Sequence, residues 1–262
     1  MREGRGELEA ARSGGLPRLI TAEDMRGDLH CHTTLSDGRQ TLEQMVSAAQ
    51  GRGLEYLAIT DHSASHGFGD HVTPEALEAR IEEIHALNAG LDGFEVLAGT
   101  EVNILPDGSL DYDDELLAKL DWVIASVHTS FSMSEQEMTD RMIRAIEHPW
   151  VDAIGHPTGR KIETRPPYEL DVERVIEAAA RTGTMIEINS APDRRDLDDV
   201  NARAAARAGV RIIINSDAHG ANTLPNTRWG VATARRAWLT ASDVANTLPW
   251  EEFAPLRKRA RR

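Results

Sequence analysis

Cysteine is almost absent from this 262-residue chain, which contains only Cys31. A single thiol cannot form a disulfide within the chain, and this excludes a disulfide-stabilised scaffold and favours the reducing cytoplasm. Long apolar runs are also missing, since no stretch approaches the ~20 residues of a membrane span. Residues 1–15 lack the apolar core of a signal peptide. The sequence therefore predicts a cytoplasmic protein with no membrane segment.

Positive charge is scarce, with 29 Lys and Arg against 43 Asp and Glu and a formal net charge of −14. Broad affinity for nucleic acids requires basic side chains that neutralise phosphates, so the charge argues against it. A local basic patch or a fused partner could still supply binding to DNA. The charge therefore weakens a nucleic-acid function without excluding it.

The chain alternates short apolar runs with amphipathic stretches of helical length, as in parallel strands covered on both faces. The seven predicted strands are residues 27–31, 56–60, 95–102, 122–126, 151–154, 185–188 and 211–215. Seven β/α repeats without a linker predict a single-domain α/β fold, a parallel barrel with helices outside. We assign residues 1–25 to a connector or N-terminal extension and residues 26–250 to the barrel domain. Residues 251–262 form a basic tail that we expect to be solvated and frayed.

Histidines and carboxylates recur where the predicted strands end. Six of the seven strands contribute, and the nine residues are His30, His32, Asp37, His62, Glu101, His128, His156, Asp217 and His219. Parallel barrel strands end on the face where barrel enzymes place their active sites, so we expect the nine side chains to converge. Imidazoles and carboxylates without thiolates are typical of multinuclear metal centres for hydrolysis, and the sequence predicts such a centre.

Spacing and burial strengthen this prediction. His30 and His32 are two residues apart, as are Asp217 and His219, so each pair projects to one side of a strand. Glu101 would be costly to bury in an apolar strand unless it is paired or bound to metal. Its two oxygens could bridge two cations. Any one of the nine residues has an ordinary structural explanation, but the set does not.

Other polar residues near the strand ends receive secondary assignments. His66 and His71 lie in a loop beside the second strand, which we expect to be exposed rather than part of the site. Asn189 and Ser190 end the sixth strand, where we expect a contact with the ligands or with a substrate.

The motifs H-x-H…D, D-H, G-x-E, S-V-H, G-H-P and S-D-A-H follow one another along the chain. Together they resemble the PHP (polymerase and histidinol phosphatase) family of metal-dependent phosphoesterases over approximately residues 26–240. Within that family the chain is most similar to the C-terminal PHP domain of bacterial family X DNA polymerases. The segments GDLHCHTTLSDG, LPDGSLDYDDELLAKLDWVIASVHTSF and GHPTGRKIETRPPYELD carry this likeness.

The resemblance implies a distorted (β/α)7 barrel and a PHP metallophosphoesterase domain at residues 26–250. It also implies that the nine residues bind three divalent metal ions (Mn, Zn or Fe). Residues 1–25 resemble the connector to a polymerase core, and we expect that core to be missing from this chain.

The predicted reaction is hydrolysis of a phosphoester by a metal-activated hydroxide. By resemblance the substrate is a DNA 3′ end, through 3′-5′ exonuclease activity or 3′-end processing. Arg160, just beyond His156, is placed to bind a phosphate oxygen with its planar guanidinium. The acid that protonates the leaving group is not assigned.

Three alternatives remain. The first is a phosphatase acting on a small phosphomonoester such as histidinol phosphate. The second is an amidohydrolase, although such enzymes often bridge their metals with a carboxylated lysine and no strand end here presents a lysine. The third is a metal-binding structural module without activity, although such modules have lost ligands and this chain retains all nine.

Overall fold

The computed structural model describes residues 4–65 and 72–261. In these residues one seven-stranded sheet pairs each strand in parallel with the next along the chain. The strands are β1 (Gly27–Cys31), β2 (Tyr56–Ile59), β3 (Glu95–Asn103), β4 (Trp122–Ser126), β5 (Ala153–Ile154), β6 (Met185–Asn189) and β7 (Ile212–Asn215). A bridge between Cys31 and Ala218 brings the first strand to the last, so the sheet nearly closes. The predicted α/β barrel with seven strands is therefore confirmed.

Helices fill the connections between strands. They are α1 (Glu7–Ser13), α2 (Leu42–Gln50), α3 (Pro74–Asn88), α4 (Asp114–Lys119), α5 (Glu135–Glu147), α6 (Val172–Thr182), α7 (Asp199–Arg207), α8 (Thr227–Arg236) and α9 (Trp250–Phe253). Thr73, Ser134 and Asp171 begin α3, α5 and α6, and each side chain accepts a hydrogen bond from a backbone N–H of the first turn. Within the part of the chain that the structure describes, every helix is too short or too polar to cross a lipid bilayer.

The strands are buried on both faces, and β6 shows how the two faces differ. Ile186 packs into the large outer core beneath the helices. Met185 belongs to a smaller inner cluster, which Phe253 closes at the amino end of the strands. Glu187 and Asn189 follow Met185 on the same face, because strand side chains alternate. The interior of the barrel is therefore apolar toward one end and polar toward the carboxyl ends of the strands.

The C-terminal tail is not the solvated, frayed segment that the sequence suggested. The Lys258 backbone N–H donates to Asp152 Oδ1 at 2.7 Å, and Arg259 Nη2 lies 3.2 Å from Asp152 Oδ2. Asp152 is 1% exposed, so its carboxylate needs donors supplied by the protein. This pairing links residues more than a hundred positions apart, and no local pattern in the sequence indicates it. The tail therefore packs against the amino end of the barrel.

Candidate metal centre

The nine predicted ligands converge at the carboxyl ends of the strands, around Glu101. This side chain ends the inward face of β3 and is 1% exposed. Five histidine rings surround its carboxylate. Two rings face its Oε1, with His156 Nε2 at 2.8 Å and His128 Nε2 at 3.2 Å. Three rings face its Oε2, with His62 Nδ1 at 3.0 Å, His30 Nε2 at 3.2 Å and His32 Nε2 at 3.6 Å.

The remaining carboxylates complete the cluster on the sides of β1 and β7. Asp217 Oδ1 lies 3.2 Å from His32 Nε2 and 3.6 Å from His30 Nε2. Asp37 Oδ2 lies 3.2 Å from His219 Nε2. Three groups have ligand atoms that all lie within 4.8 Å of one another, namely His32–Asp37–His62–His219, His30–His32–Asp217 and His62–Glu101–His128. The structure thus brings together all nine residues that the sequence singled out.

Asp61 of the D-H motif holds the loop that carries Asp37. The Thr33 backbone N–H and side-chain hydroxyl each donate to the Asp61 carboxylate at 2.7 Å, as does the Ser36 hydroxyl. Gly38 allows the loop to fold tightly, because a Cβ there would lie 2.6 Å from the His32 carbonyl oxygen. These contacts explain how a residue in a loop after β1 reaches the strand-end cluster.

Two members of the cluster adopt a backbone conformation that is rare for residues other than glycine. The φ angles of His156 and Asp217 are 28° and 53°. Such conformations are unfavourable and persist where the surrounding contacts enforce them, often at functional sites. Both side chains reach the cluster from there, His156 Nε2 to 2.8 Å from Glu101 Oε1 and Asp217 Oδ1 to 3.2 Å from His32 Nε2.

Several buried polar atoms of the cluster make no hydrogen bond to any residue the structure describes. They include His30 Nε2, His32 Nδ1, Glu101 Oε2 and His156 Nδ1. Buried polar atoms without a partner are uncommon in folded proteins, because desolvation without a new bond is costly. Imidazole nitrogens and carboxylate oxygens are ligands for Zn, Mn or Fe. The donor set therefore fits divalent cations.

The protonation states of two histidines and of Glu101 suit cation binding. Burial lowers the pKa of His32 and His128 to about 4, so both rings are neutral at pH 7. Burial acts to raise the pKa of Glu101, but the neighbouring imidazoles, His30 above all, outweigh it and hold that pKa well below its usual range. Burial acts to lower the pKa of His30, but the Glu101, Glu187 and Asp217 carboxylates raise it well above its usual range, so a cation would have to displace a proton from this ring. Neutral imidazoles and ionised carboxylates are the forms that coordinate metals.

A cavity of about 250 Å³ opens above the cluster. Asp37, Glu101 and Asp217 contribute to its wall, together with Lys161 and Arg194, two cations that the sequence analysis did not select. The Arg194 side chain is 12% exposed, and its Nε lies 3.6 Å from Asp217 Oδ2. Its Nη1 is buried without a hydrogen bond among the described residues. Arg194 can therefore offer a donor to an anion in the cavity.

Arg160, the predicted phosphate contact, is not brought to this cavity. Its Nε donates to the Arg194 carbonyl at 3.2 Å and its Nη2 donates to the Arg195 carbonyl. Arg160 lines a separate surface depression with Arg236 and Asp198. His66 and His71, predicted to lie in an exposed loop, fall outside the described residues.

Glu187 on β6 is a third residue, after Lys161 and Arg194, that the strand-end pattern does not single out. It is fully buried beneath the cluster and accepts a hydrogen bond from His30 Nδ1 at 2.8 Å. Asn189, for which we expected a supporting contact, donates to Asp217 Oδ2 at 3.0 Å. A signal for Glu187 existed, because an acidic residue within MIEIN raises the same burial cost that drew attention to Glu101.

Comparisons with known proteins agree with this geometry. A family model described as "PHP domain" matches residues 28–191. The chain is 41% identical over 241 residues to "DNA polymerase/3'-5' exonuclease PolX" of Bacillus subtilis (strain 168), an alignment that covers 92% of this chain and 42% of that relative. It therefore spans less than half the length of that relative. It is also 32% identical over 232 residues to a probable phosphatase of Thermoanaerobacter pseudethanolicus, covering 84% of this chain and 89% of the relative.

Two solved structures share the fold. One is histidinol phosphate phosphatase from Lactococcus lactis, complexed with zinc, L-histidinol and phosphate. It matches with a TM-score of 0.55 and 18% sequence identity, and the match covers 80% of this chain and 94% of that chain. The other is a putative histidinol phosphatase from Listeria monocytogenes, with a TM-score of 0.61 and 15% sequence identity. That match covers 76% of this chain and 97% of the other. At these identities the likeness concerns the fold alone.

Proposed function

Because the chain belongs to the PHP domain family, we propose that it is a metal-dependent phosphoesterase. The observation that carries the proposal is the convergence of six imidazoles and three carboxylates on one buried cluster around Glu101. A purely structural barrel has no need of so many titratable groups in one place, and burying them without cations is unfavourable.

We propose that the nine residues hold three divalent ions (Mn, Zn or Fe), one near each of the three ligand groups. His156, which contacts Glu101, would join the group of His62, Glu101 and His128. When bound, such ions lower the pKa of a coordinated water and neutralise charge on phosphate oxygens. Through Oε1 Glu101 contacts His128, and through Oε2 it contacts His30, which belongs to a different ligand group. This supports its assignment as a bridging ligand. His32 and His128 are neutral at pH 7, which leaves their nitrogens available for coordination.

Arg194 and Lys161 would bind the non-bridging oxygens of the phosphoester. Both line the cavity, and the guanidinium of Arg194 can present two parallel donors. Arg160 would act indirectly, because its hydrogen bonds to two successive carbonyls hold the loop that carries Arg194. This assignment replaces a direct phosphate contact by Arg160, and the residue that protonates the leaving group stays unassigned.

For the substrate we propose DNA 3′ ends, processed as a 3′-5′ exonuclease or a 3′-end phosphoesterase. The support is the 41% identity to a polymerase and 3′-5′ exonuclease over 92% of this chain. The second candidate is a small phosphomonoester such as histidinol phosphate. The net charge of −14 and a cavity of only about 250 Å³ favour that candidate.

A single buried thiol suits action in the reducing cytoplasm.

The test is a comparison of substrates with the purified chain loaded with Mn²⁺ or Zn²⁺. Single-stranded DNA labelled at its 3′ end, an oligonucleotide with a 3′-phosphate and histidinol phosphate would be supplied in parallel, with Glu101→Gln as the inactive control. We expect metal-dependent release from one of the DNA substrates. Turnover of histidinol phosphate alone would favour the second candidate. Hydrolysis of a cyclic amide alone would indicate an amidohydrolase, and absence of bound metal in elemental analysis would indicate a scaffold.

A further inference from the structure

Glu187 lies outside the cavity, directly beneath the cluster, and all of its hydrogen-bonding capacity is used. Its Oε1 accepts from His30 Nδ1 at 2.8 Å and from Asn215 Nδ2 at 2.9 Å. Its Oε2 accepts from the His156 backbone N–H at 2.7 Å and from Asn189 Nδ2 at 3.1 Å. Four partners from β1, β6, β7 and the end of β5 therefore meet at one carboxylate.

Three of the four partners of the Glu187 carboxylate can act only as hydrogen-bond donors. The backbone N–H of His156 has no acceptor capacity. Asn215 accepts from the Leu29 backbone N–H through Oδ1 at 3.0 Å, so its amide nitrogen must face Glu187. Asn189 is fixed in the same way, because its Oδ1 accepts from the Ala191 backbone N–H at 3.0 Å. Neither amide can be reversed without leaving a backbone donor unsatisfied.

The fourth partner is the His30 ring, which faces the same acceptor oxygen. A carboxylate oxygen has no proton to offer Nδ1, so the contact is made by a proton on Nδ1. In a neutral ring the other nitrogen, Nε2, then carries a lone pair. That atom lies 3.2 Å from Glu101 Oε2 and 3.6 Å from Asp217 Oδ1, on the cluster side of the ring.

We propose that Glu187 is a positioning residue that holds the His30 proton on Nδ1 and so reserves Nε2 for a metal ion. The inference rests on the proposed metal centre and adds a residue to it. Glu187 also orients two other members of the cluster, His156 through its backbone N–H and Asp217 through the Asn189 amide. Carboxylates that hydrogen-bond the second nitrogen of a ligating histidine fix its tautomer and raise its basicity.

Glutamine at position 187 has nearly the same shape but would replace one of the two acceptor oxygens with an amide donor, which the fixed amides of Asn189 and Asn215 cannot accept from. Its amide nitrogen would take the place of one of the two oxygens. In the place of Oε2 it would face the His156 N–H and Asn189, and in the place of Oε1 it would face His30 and Asn215. A backbone N–H cannot become an acceptor, whereas an imidazole can, so the amide nitrogen would face His30. The ring would then accept through Nδ1 and carry its proton on Nε2, where a proton excludes the metal.

The experiment compares Glu187→Gln with Asp152→Asn, another change of a buried carboxylate to an amide but at the opposite end of the barrel. Zinc affinity would be measured by competition with a chelator. Proton and ¹⁵N NMR spectra of the zinc-loaded protein would report the state of the His30 ring. We expect Glu187→Gln to weaken at least one zinc site about 10- to 100-fold, and Asp152→Asn to leave every site unchanged. In the wild-type protein the His30 ring should bind zinc through Nε2 and keep its proton on Nδ1.

Equal zinc affinity in wild type and Glu187→Gln, or a wild-type ring that binds zinc through Nδ1, would overturn the inference. If the variant does not fold, the wild-type spectrum alone decides. A wild-type protein that binds zinc through His30 but hydrolyses no phosphoester would contradict the proposed function and leave the role of Glu187 intact.

Discussion

His156 Nε2 lies 2.8 Å from Glu101 Oε1, although the two residues are 55 positions apart in the chain. The backbone N–H of the same histidine donates to Glu187 at 2.7 Å. His156 is thus held by two carboxylates, one through its ring and one through its main chain. These contacts explain how a residue with a φ of 28° keeps a single conformation at the end of a two-residue strand.

Replacing Glu101 with glutamine should abolish most of the activity. An amide lacks the negative charge that five surrounding histidines and the bound cations require. We expect the loss in kcat/KM to exceed the 10- to 100-fold that removal of a partner of a metal ligand usually costs. Steady-state kinetics with a fixed Mn²⁺ concentration would measure it. Glu95→Gln, at the opposite end of β3, is the matched control and should retain activity. Comparable activity in the two variants would argue against the bridging role.

Arg194→Gln and Arg160→Gln should separate direct from indirect phosphate binding. Loss of a charged hydrogen bond to substrate corresponds to about 1.5–3 kcal/mol, so we expect kcat/KM of Arg194→Gln to fall roughly 10- to 100-fold. Arg160 is part of a partly exposed network, and its loss should cost less than about fivefold. Kinetics on one phosphomonoester would suffice. The reverse order would restore Arg160 as the phosphate contact.

Removal of metal should lower thermal stability. A ligand that binds only the folded state at a hundred times its Kd stabilises it by about 2.7 kcal/mol. For a chain of this size that corresponds to a fall in Tm of roughly 5–10 °C on chelation. Calorimetry with excess Zn²⁺ and with EDTA would show the difference. The difference should shrink in Glu101→Gln, and a wild-type Tm that EDTA leaves unchanged would contradict the metal centre.

The metal-free protein should lose stability as the pH falls toward 5. His32 and His128 have a pKa of about 4 in the folded state, so the unfolded chain, with ordinary imidazoles, binds up to two more protons between pH 6.5 and 4. Burial raises the pKa of Asp28 to about 6, which opposes this by up to one proton. Against the effect of burial, the Asp37 and Asp217 carboxylates raise the pKa of His219 to about 9, which also opposes it, but only above about pH 6. One net proton corresponds to a slope of about 1.4 kcal/mol per pH unit.

Urea unfolding in EDTA at several pH values around 5 would measure this slope. His128→Asn removes one of the two titrating rings, so the slope should become nearly flat. A free energy of unfolding that rises as the pH falls would show that the rings are not held neutral by burial.

Loss of the tail contact should affect stability without affecting metal binding. Arg259→Ala removes a donor to buried Asp152, and leaving such a group less satisfied costs about 1–3 kcal/mol. Arg261→Ala, which removes an exposed hydrogen bond to a carbonyl, is the control. Chemical unfolding and zinc titration of both variants would test this. A change in zinc affinity in Arg259→Ala would mean that the two ends of the barrel are coupled.

The fold was predictable because its signals are local. Each buried parallel strand appears as an apolar run, and β1 and β4 have the predicted bounds. The fifth strand is shorter than predicted, since only Ala153–Ile154 pairs in the sheet. The predicted range also covers Val151 and Asp152, because the sequence does not reveal where strand pairing begins.

The cluster was predictable for a related reason, since each strand end could be inspected separately. Residues whose roles depend on tertiary contacts could not be predicted in this way. Arg194 lies in a loop beside Arg195, and nothing in the sequence of that loop indicates which guanidinium faces the cavity. Arg160 was selected because it closely follows His156, but its hydrogen bonds turn it toward the backbone of a different loop. The contact between the tail and Asp152 likewise joins residues more than a hundred positions apart, and a local sequence pattern cannot predict such a contact.

The shared carboxylate beneath the cluster has a consequence for engineering. Since Glu187 ties together residues of four strand ends, a substitution of Glu187, Asn189 or Asn215 would disturb several members of the cluster at once. A mutant library aimed at new phosphoesters should therefore keep the strand interiors constant and randomise the loop that bears Lys161 and the loop that bears Arg194.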